Sequence, residues 1–134
     1  MSMPYSKKMP FAFVLDYLLS LAPVVKPMFG CYSVYLGEKI MLILRNRKDH
    51  PDCNGVWLAT SREAHQSLKK DFPSMRSISI FTDGTAETTW QMHPLDADDF
   101  ESSVIKACEF ILQGDERIGR IPKQKKSKKR KQKS

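Results

Sequence analysis

Three cysteines and three histidines are the residues of this chain best suited to nucleophilic or metal chemistry. His50 and Cys53 have H-x-x-C spacing in a polar stretch and could supply two metal ligands, whereas a structural zinc site needs four. No second ligand pair follows them in the sequence. An ordinary surface loop is therefore the favoured interpretation, and neither a metal site nor another cofactor is predicted.

Cys31 is the candidate nucleophile, because it follows a glycine and Lys26 is close in sequence. A thiol near a cation ionises more readily and reacts faster. Its place in an alternating, strand-like stretch favours a small buried side chain instead. Cys108 lies on the apolar stripe of a predicted helix, and neither His65 nor His93 has an evident nucleophile or carboxylate partner. No catalytic residue is predicted, and a small enzyme using Cys31 stays an alternative.

Aromatic residues offer a second kind of chemistry, the stacking of nucleic-acid bases. The candidates for such a platform are Trp57, Trp90, Tyr32 and Tyr35. Stacking requires their rings to face solvent, whereas aromatic side chains in short strands are more often core residues or cross-strand pairs. The core interpretation is favoured.

Charge is distributed very unevenly along the chain. Ten of the 22 Lys and Arg residues follow Glu116, in a segment without any acidic residue, so the preceding part holds 12 basic and 15 acidic residues and is net −3. Such a segment has almost nothing apolar to bury, which predicts a disordered tail. Cationic tails bind nucleic acid by neutralising phosphates and releasing counterions. The candidate contacts are Lys123, Lys125, Lys126, Lys128, Lys129, Arg130, Lys131 and Lys133.

Two other roles for this tail stay open. It could serve solubility alone while the domain recruits a protein partner, and in a eukaryote it would double as a nuclear-import signal. Anionic membrane is the weakest candidate partner, because no acylation motif or amphipathic anchor accompanies the charge.

Hydrophobic periodicity predicts the order α-β-β-β-α-β-β-α. An apolar helix from Phe11 is stopped by Pro23, and the last helix is capped by Asp96 and stopped by Gly114. The strands group into two hairpins and one single strand, which favours an antiparallel sheet. The predicted class is α+β in two layers, with a five-stranded antiparallel sheet covered by helices. The remaining elements are strands at 31–36, 39–44, 56–59, 77–81 and 88–92, with a helix that follows a capping box at 60–63.

One small domain accounts for a chain of this length. The predicted division is a disordered segment at 1–9, a domain at 10–116 and the disordered tail at 117–134. The odd, widely spaced cysteines favour a reducing, cytoplasmic setting. The apolar stretch from Phe11 to Ala22 contains Asp16 and is shorter than the ~20 residues that span a bilayer, so no membrane span is predicted.

The stretch from Lys26 to Leu36 resembles the opening motif of the TfoX N-terminal domain family. The residues that carry the likeness are Lys26, Met28, Phe29, Gly30 and Tyr35. The resemblance implies a two-layer fold similar to type III secretion chaperones and YjbR-like proteins, and it supplies no catalytic residue. The chain departs from the family at Cys31 and Ser33, where many members have glycine, and in lacking the helical C-terminal domain of the competence regulators.

Together these observations predict a non-enzymatic, TfoX-N-like binding or regulatory module whose cationic tail makes salt-sensitive contact with DNA or RNA. The main alternative is a protein-interaction adaptor with a solubilising tail.

Overall fold

A computed structural model describes residues 9–78 and 90–121 of the chain. Within these ranges three α-helices and six β-strands form an α+β fold, and every strand pairs antiparallel with its neighbours. Two short 3₁₀ helices, Leu19–Leu21 and Pro51–Cys53, complete the regular structure of these ranges. In chain order the elements are α1 Phe13–Tyr17, β1 Val24–Met28, β2 Cys31–Leu36, β3 Lys39–Arg45, β4 Gly55–Leu58, α2 Arg62–Asp71, β5 Arg76–Ser77, β6 Gln91–Pro94 and α3 Phe100–Leu112.

The strand order across the sheet is β1-β2-β3-β4-β6-β5, so β1 and β5 are the edges of the described sheet. The predicted α+β class and antiparallel sheet are confirmed, but the predicted number of five strands is wrong. The additional strand is β1, where Pro23 and Pro27 predict a break. An edge strand tolerates Pro27, because the N–H that proline lacks would have no second neighbour to pair with.

The first helix is shorter than the predicted stretch from Phe11 to Ala22. α1 ends at Tyr17, a 3₁₀ turn follows, and Ala22 adopts a left-handed backbone with φ of 55°. The physical reason is Pro23, because its ring disfavours the right-handed helical region for the preceding residue.

The hairpin of β2 and β3 is confirmed, with Leu36 opposite Lys39 and Gly37 in the turn at φ of 61°. β5 pairs antiparallel with β6, as predicted for the second pair of strands. The connection between the strands predicted at 77–81 and 88–92 lies outside the described residues.

The two longer helices are confirmed, but their N-terminal contacts differ from the prediction. The N-cap of α2 is Ser61, one residue after the Thr60 that the predicted capping box requires. Ser61 makes no side-chain cap hydrogen bond. The box requires Thr60 as N-cap with Glu63 at the third helical position. The N-cap of α3 is Asp99 rather than Asp96, and Gly114, at φ of 80°, follows the end of this helix.

The helices pack against one face of the sheet. Leu15 of α1, Leu68 of α2 and Val104 of α3 share a core with Leu42 and Val56 of the central strands. A smaller cluster on the opposite face contains Cys31, Ile43, Trp57 and Met92. The helical layer fixes α2 beside the β5 edge, where the candidate site lies.

Candidate nucleic-acid interface

One flank of α2 is cationic. Ala64 and Leu68 are buried in the core, which leaves one flank with Arg62, His65 and Lys69. These residues lie at i, i+3 and i+7, so they share one helical face. The other flank carries Glu63, Lys70 and Asp71, whose charges largely offset one another. The helix therefore turns a cationic side toward β5 and a nearly neutral side away from it.

A groove of about 590 Å³ separates the cationic flank of α2 from the edge of the sheet. Among the described residues that line it, three are permanently cationic and none is acidic. The lining residues are Arg62, His65, Gln66, Lys69, Met75, Arg76, Ser77 and Gln91, and they are called the basic groove below. Open polar walls with a surplus of positive charge suit an anionic partner.

Neutral carbonyl groups position two of these cations. Lys69 donates from its Nζ to the backbone oxygen of Met75, and Arg76 donates from Nη2 to the backbone oxygen of Asp52 at 2.6 Å. A carbonyl orients a cation without cancelling its charge. Arg76 also lies 3.9 Å from the carboxylate of Asp96, but both side chains are exposed, and such pairs contribute only about 0–1 kcal/mol. These contacts leave the positive charge of Lys69 and Arg76 largely in place.

Arg117 holds the segment that follows α3 on the flank of α2 that carries Ser67 and Asp71. Its guanidinium lies 2.7 Å from the carboxylate of Asp115 and 3.0 Å from that of Asp71, and it donates to the Ser67 hydroxyl at 3.1 Å. The hydrogen bond from Arg117 holds the pKa of Asp115 below its usual value. The next residue, Ile118, is buried. This segment is consequently part of the packed body.

Backbone contacts continue this attachment to the sheet. The Gly119 N–H donates to the Ala59 oxygen at 2.7 Å, and Ile40 and Arg120 exchange hydrogen bonds of 2.8 and 3.0 Å. Packed structure therefore extends to residue 120, beyond the boundary predicted at Glu116. Arg117 and Arg120 led to the assignment of this segment to the cationic tail. In the structure the buried side chain of Ile118 packs into the larger core cluster and attaches the segment to the domain. The eight predicted contacts from Lys123 to Lys133 lie outside the described residues.

The residues of the Met-Phe-Gly motif form the tip of the β1–β2 hairpin. Met28 pairs with Cys31, and between them Phe29 and Gly30 have φ of 52° and 79°. Phe29 is 79% exposed. A side chain at Gly30 would collide with Arg47, because an ideal Cβ there lies 1.7 Å from Nη1 of that arginine. The backbone conformation favours glycine here, and the Arg47 side chain would have to shift to admit a Cβ.

The other two motif residues meet along the same hairpin. The Nζ of Lys26 lies 4.5 Å from the ring centroid of Tyr35, a cation–π distance. At Ser33, where many members of the family have glycine, the hydroxyl donates a hydrogen bond to the Lys26 backbone oxygen at 2.9 Å. The structure therefore brings all five motif residues into one hairpin.

A buried arginine, Arg45, organises the loop that carries Arg47. Its guanidinium donates to the Asn54 side chain at 2.7 Å and to the backbone oxygens of His50 and Asp49 at 2.9 and 2.8 Å. Asn54 in turn accepts from the Arg47 N–H and donates to the Arg47 oxygen. These bonds fix Arg47 against the hairpin tip.

All three cysteines are buried free thiols. Burial raises the pKa of Cys31 despite the nearby Arg45 and Arg47, and it raises that of Cys108 to about 12. The thiol of Cys31 points to the Phe29 oxygen at 3.7 Å. A buried, protonated thiol is a weak nucleophile, so its geometry matches the predicted packing role and offers no support for catalysis by Cys31.

The histidines are not assembled into a site. The described residues contain no group of three metal-ligating side chains, and His50 is exposed while Cys53 is buried. His93 is buried with its ring 4.6 Å from that of Phe72, and burial lowers its pKa to about 4. Neither ring nitrogen of His93 has a hydrogen-bond partner among the described residues.

The four residues of the predicted aromatic platform lie in or against the two core clusters. Trp57 is buried, with its ring centroid 6.1 Å from that of Trp90 in an edge contact, and Trp90, Tyr32 and Tyr35 are half-buried. The core interpretation is confirmed for Trp57, which faces Ile43 and Met92 on the neighbouring strands. Phe29 was absent from the predicted platform, although its place between methionine and glycine marks a turn-like sequence.

No α-helix of the described residues is long and apolar enough to cross a bilayer. A scan of protein-family models, a search of curated proteins and a search of solved structures each returned no match for this chain.

Proposed function

We propose that this protein is a non-enzymatic, cytoplasmic nucleic-acid-binding module in which the basic groove and the cationic tail contact one polyanion. We also propose that its domain is TfoX-N-like, on the strength of the motif gathered in the β1–β2 hairpin. The observation that carries the functional proposal is the cationic flank of α2, which lines a groove whose described lining lacks acids.

The spacing of the cations supports an extended polyanion. Arg62 and Lys69 are seven residues apart, which is about 10 Å along a helix axis. One strand of B-DNA advances about 3.4 Å per phosphate, so this span covers roughly three phosphates. A groove that is open at the surface can accept such a backbone, whereas a small anion would reach only part of it.

The tail supplies further positive charge. Eight of the ten cations that follow Glu116 lie after Ile121, and Gly119 and Arg120 hold the root of this segment beside the sheet. Each phosphate that they neutralise releases counterions, which strengthens binding and makes it dependent on salt. Groove and tail together can therefore follow a longer stretch of backbone than either alone.

A double substitution in the groove tests the proposal. Lys69→Gln with Arg76→Gln removes two cations without removing a core side chain, and the matched control is Lys39→Gln with Lys106→Gln, which changes the net charge equally. Fluorescence anisotropy with labelled duplex DNA and RNA at low salt gives the affinities. We expect about a tenfold loss for the groove variant and a loss below about threefold for the control. Equal losses would contradict a groove contact.

A second candidate, a protein-interaction adaptor, is favoured by apolar exposure near the β1 edge. Leu19 is 61% exposed and Val24 is 50% exposed. Exposed apolar residues beside an edge strand are typical of protein contacts. A pull-down that returns the same proteins after nuclease treatment and after removal of residues 122–134 would favour this role over nucleic-acid binding.

A further inference from the structure

The lining of the basic groove includes a buried amide, Gln91. Its backbone pairs with Leu58 of β4 on one side and with Ser77 of β5 on the other, which fixes its place in the sheet. Gln91 is 5% exposed, and it lines the groove together with Ser77. A buried amide in a groove wall discriminates between ligands, because its hydrogen-bonding groups are costly to leave unpaired.

Two acceptors fix the orientation of this amide. The Nε2 of Gln91 donates to the hydroxyl oxygen of Ser77 at 2.6 Å and to the backbone oxygen of Trp90 at 3.1 Å. A backbone oxygen can only accept, so the amide atom that faces it must be the nitrogen and not Oε1. Both amide hydrogens are used in these two bonds, and Oε1 is left as an acceptor.

Each member of this pair keeps one unused hydrogen-bonding group. Among the described residues, Oε1 of Gln91 has no donor, and the hydroxyl hydrogen of Ser77 has no acceptor. The groove wall thus presents an acceptor and a donor side by side. A single hydroxyl group of a ligand satisfies both, because a hydroxyl donates one hydrogen bond and accepts another.

Two cations of the groove are tied to the same edge of the sheet. Arg76 directly precedes Ser77 in β5, and Lys69 donates from Nζ to the backbone oxygen of Met75, the residue before Arg76. A nucleic-acid backbone whose phosphates contact these cations carries the sugars between them past Ser77 and Gln91. In RNA each of these sugars has a 2′-hydroxyl, which DNA lacks.

We propose that Gln91 and Ser77 bind a ribose 2′-hydroxyl, so that the basic groove prefers RNA to DNA. The 2′-hydroxyl donates to Oε1 of Gln91 and accepts from the hydroxyl of Ser77, while Lys69 and Arg76 contact the neighbouring phosphates. In A-form RNA the 2′-hydroxyls lie in a wide, shallow minor groove, which proteins contact. This inference rests on the nucleic-acid binding proposed above and adds to it the class of nucleic acid.

Three duplexes of one sequence separate sugar chemistry from helix shape. They are RNA, DNA and an RNA in which fluorine replaces every 2′-hydroxyl, which keeps the A-form but cannot donate a hydrogen bond. Fluorescence anisotropy at low salt gives the three affinities. We expect RNA to bind about three- to tenfold more tightly than either other duplex. Equal affinity for RNA and the fluorinated duplex would overturn the inference, and it would leave the proposed function standing if Lys69→Gln with Arg76→Gln still weakened binding to both.

Ser77→Ala is the diagnostic variant, because it removes a hydroxyl from an exposed residue of an edge strand without changing the net charge. We expect its preference for RNA over the fluorinated duplex to fall below about twofold. Ser77→Thr restores a hydroxyl on a residue that suits a strand, so it should retain the preference. The matched control, Ser102→Ala, removes an exposed serine hydroxyl outside the groove lining and should behave as the unsubstituted protein does.

Gln91→Met removes the acceptor and keeps a side chain of similar length, and urea unfolding of this variant checks that the domain still folds. Its preference for RNA should likewise fall below about twofold. A preference that persists in both Ser77→Ala and Gln91→Met would overturn the inference. An equal loss of affinity for all three duplexes would also overturn it, because the pair would then shape the groove rather than bind the sugar. Failure of the unsubstituted protein to bind any of the three duplexes would contradict the proposed function as well.

Discussion

The guanidinium of Arg47 occupies the space that a side chain at Gly30 would fill, with an ideal Cβ there only 1.7 Å from Nη1. The hairpin tip and the β3–β4 loop are therefore fitted to each other. Arg45 holds that loop by donating three hydrogen bonds from its guanidinium, to Asn54 Oδ1 and to the backbone oxygens of His50 and Asp49. The shape of the tip thus depends on residues that are distant in sequence.

Gly30→Ala should destabilise the domain by about 1–2 kcal/mol, because alanine is strained at φ of 79°. Arg47 is flexible and can move aside, so its clash adds a smaller coupling of about 0.5–1 kcal/mol. Urea unfolding of both single variants and of Gly30→Ala with Arg47→Ala measures the two parts. A coupling energy of zero would mean that the two residues do not compete for the same space.

Arg45→Met should cost about 2–3 kcal/mol of unfolding free energy. The substitution fills the buried volume but removes charged hydrogen bonds to Asn54 and to two backbone oxygens. Lys48→Met, an exposed change in the same loop, is the control and should stay within about 0.5 kcal/mol. Equal stability of the two variants would show that the buried guanidinium does not hold the loop.

Stability should decrease as the pH falls from about 6.5 to 4. Burial lowers the pKa of His93 to about 4, so in this window the unfolded chain binds a proton that the folded chain excludes. The full effect of that shift is roughly 3 kcal/mol, lost progressively toward pH 4.

His93→Leu should flatten the dependence of unfolding free energy on pH in this window. Asp99, which faces His93, has a lowered pKa, first because Ser74 hydrogen-bonds to its carboxylate, and therefore loses stabilisation only at more acidic pH. Chemical unfolding at four or five pH values separates the two ranges. Parallel pH curves for the variant and the unsubstituted protein would contradict a neutral, buried His93.

Removal of residues 122–134 should leave stability unchanged, whereas removal of residues 117–134 should cost about 2–4 kcal/mol. The longer truncation deletes the buried Ile118, the Arg117 contacts and the hydrogen bonds to Ala59 and Ile40. Thermal unfolding of the two truncated chains compares them directly. If both had the same melting temperature, residues 117–121 would not belong to the packed domain.

Local patterns in the sequence predicted most of the described fold. The alternation of β2 and the apolar stripe of α3 were each interpreted correctly. The stripe of α3 faces the larger cluster, and alternate residues of β2 contribute Val34 to that cluster and Cys31 to the smaller one. β1 was missed because its proline is acceptable only at an edge, and the position of an edge depends on the whole sheet. Residues 117–121 were assigned to the tail because two of the five are arginines, although Ile118 among them is buried in the core.

The candidate site was only partly visible in the sequence. The spacing of Arg62, His65 and Lys69 could have been recognised as one helical face, but Arg76 reaches the groove from another element. The Met-Phe-Gly motif was recognised, yet its exposure depends on a turn that Arg47 supports from a distant loop. Long-range contacts of this kind leave no local pattern.

The most direct test of the central claim is the salt dependence of nucleic-acid affinity. Dissociation constants for duplex DNA and for RNA between about 50 and 200 mM salt are measured for the full chain, for a chain lacking residues 122–134 and for Lys69→Gln with Arg76→Gln. We expect the slope of log affinity against log salt to become shallower by about 3 or more units on removal of the tail and by about 1–2 units in the groove variant. Slopes that are the same for all three proteins would contradict binding through the groove and the tail.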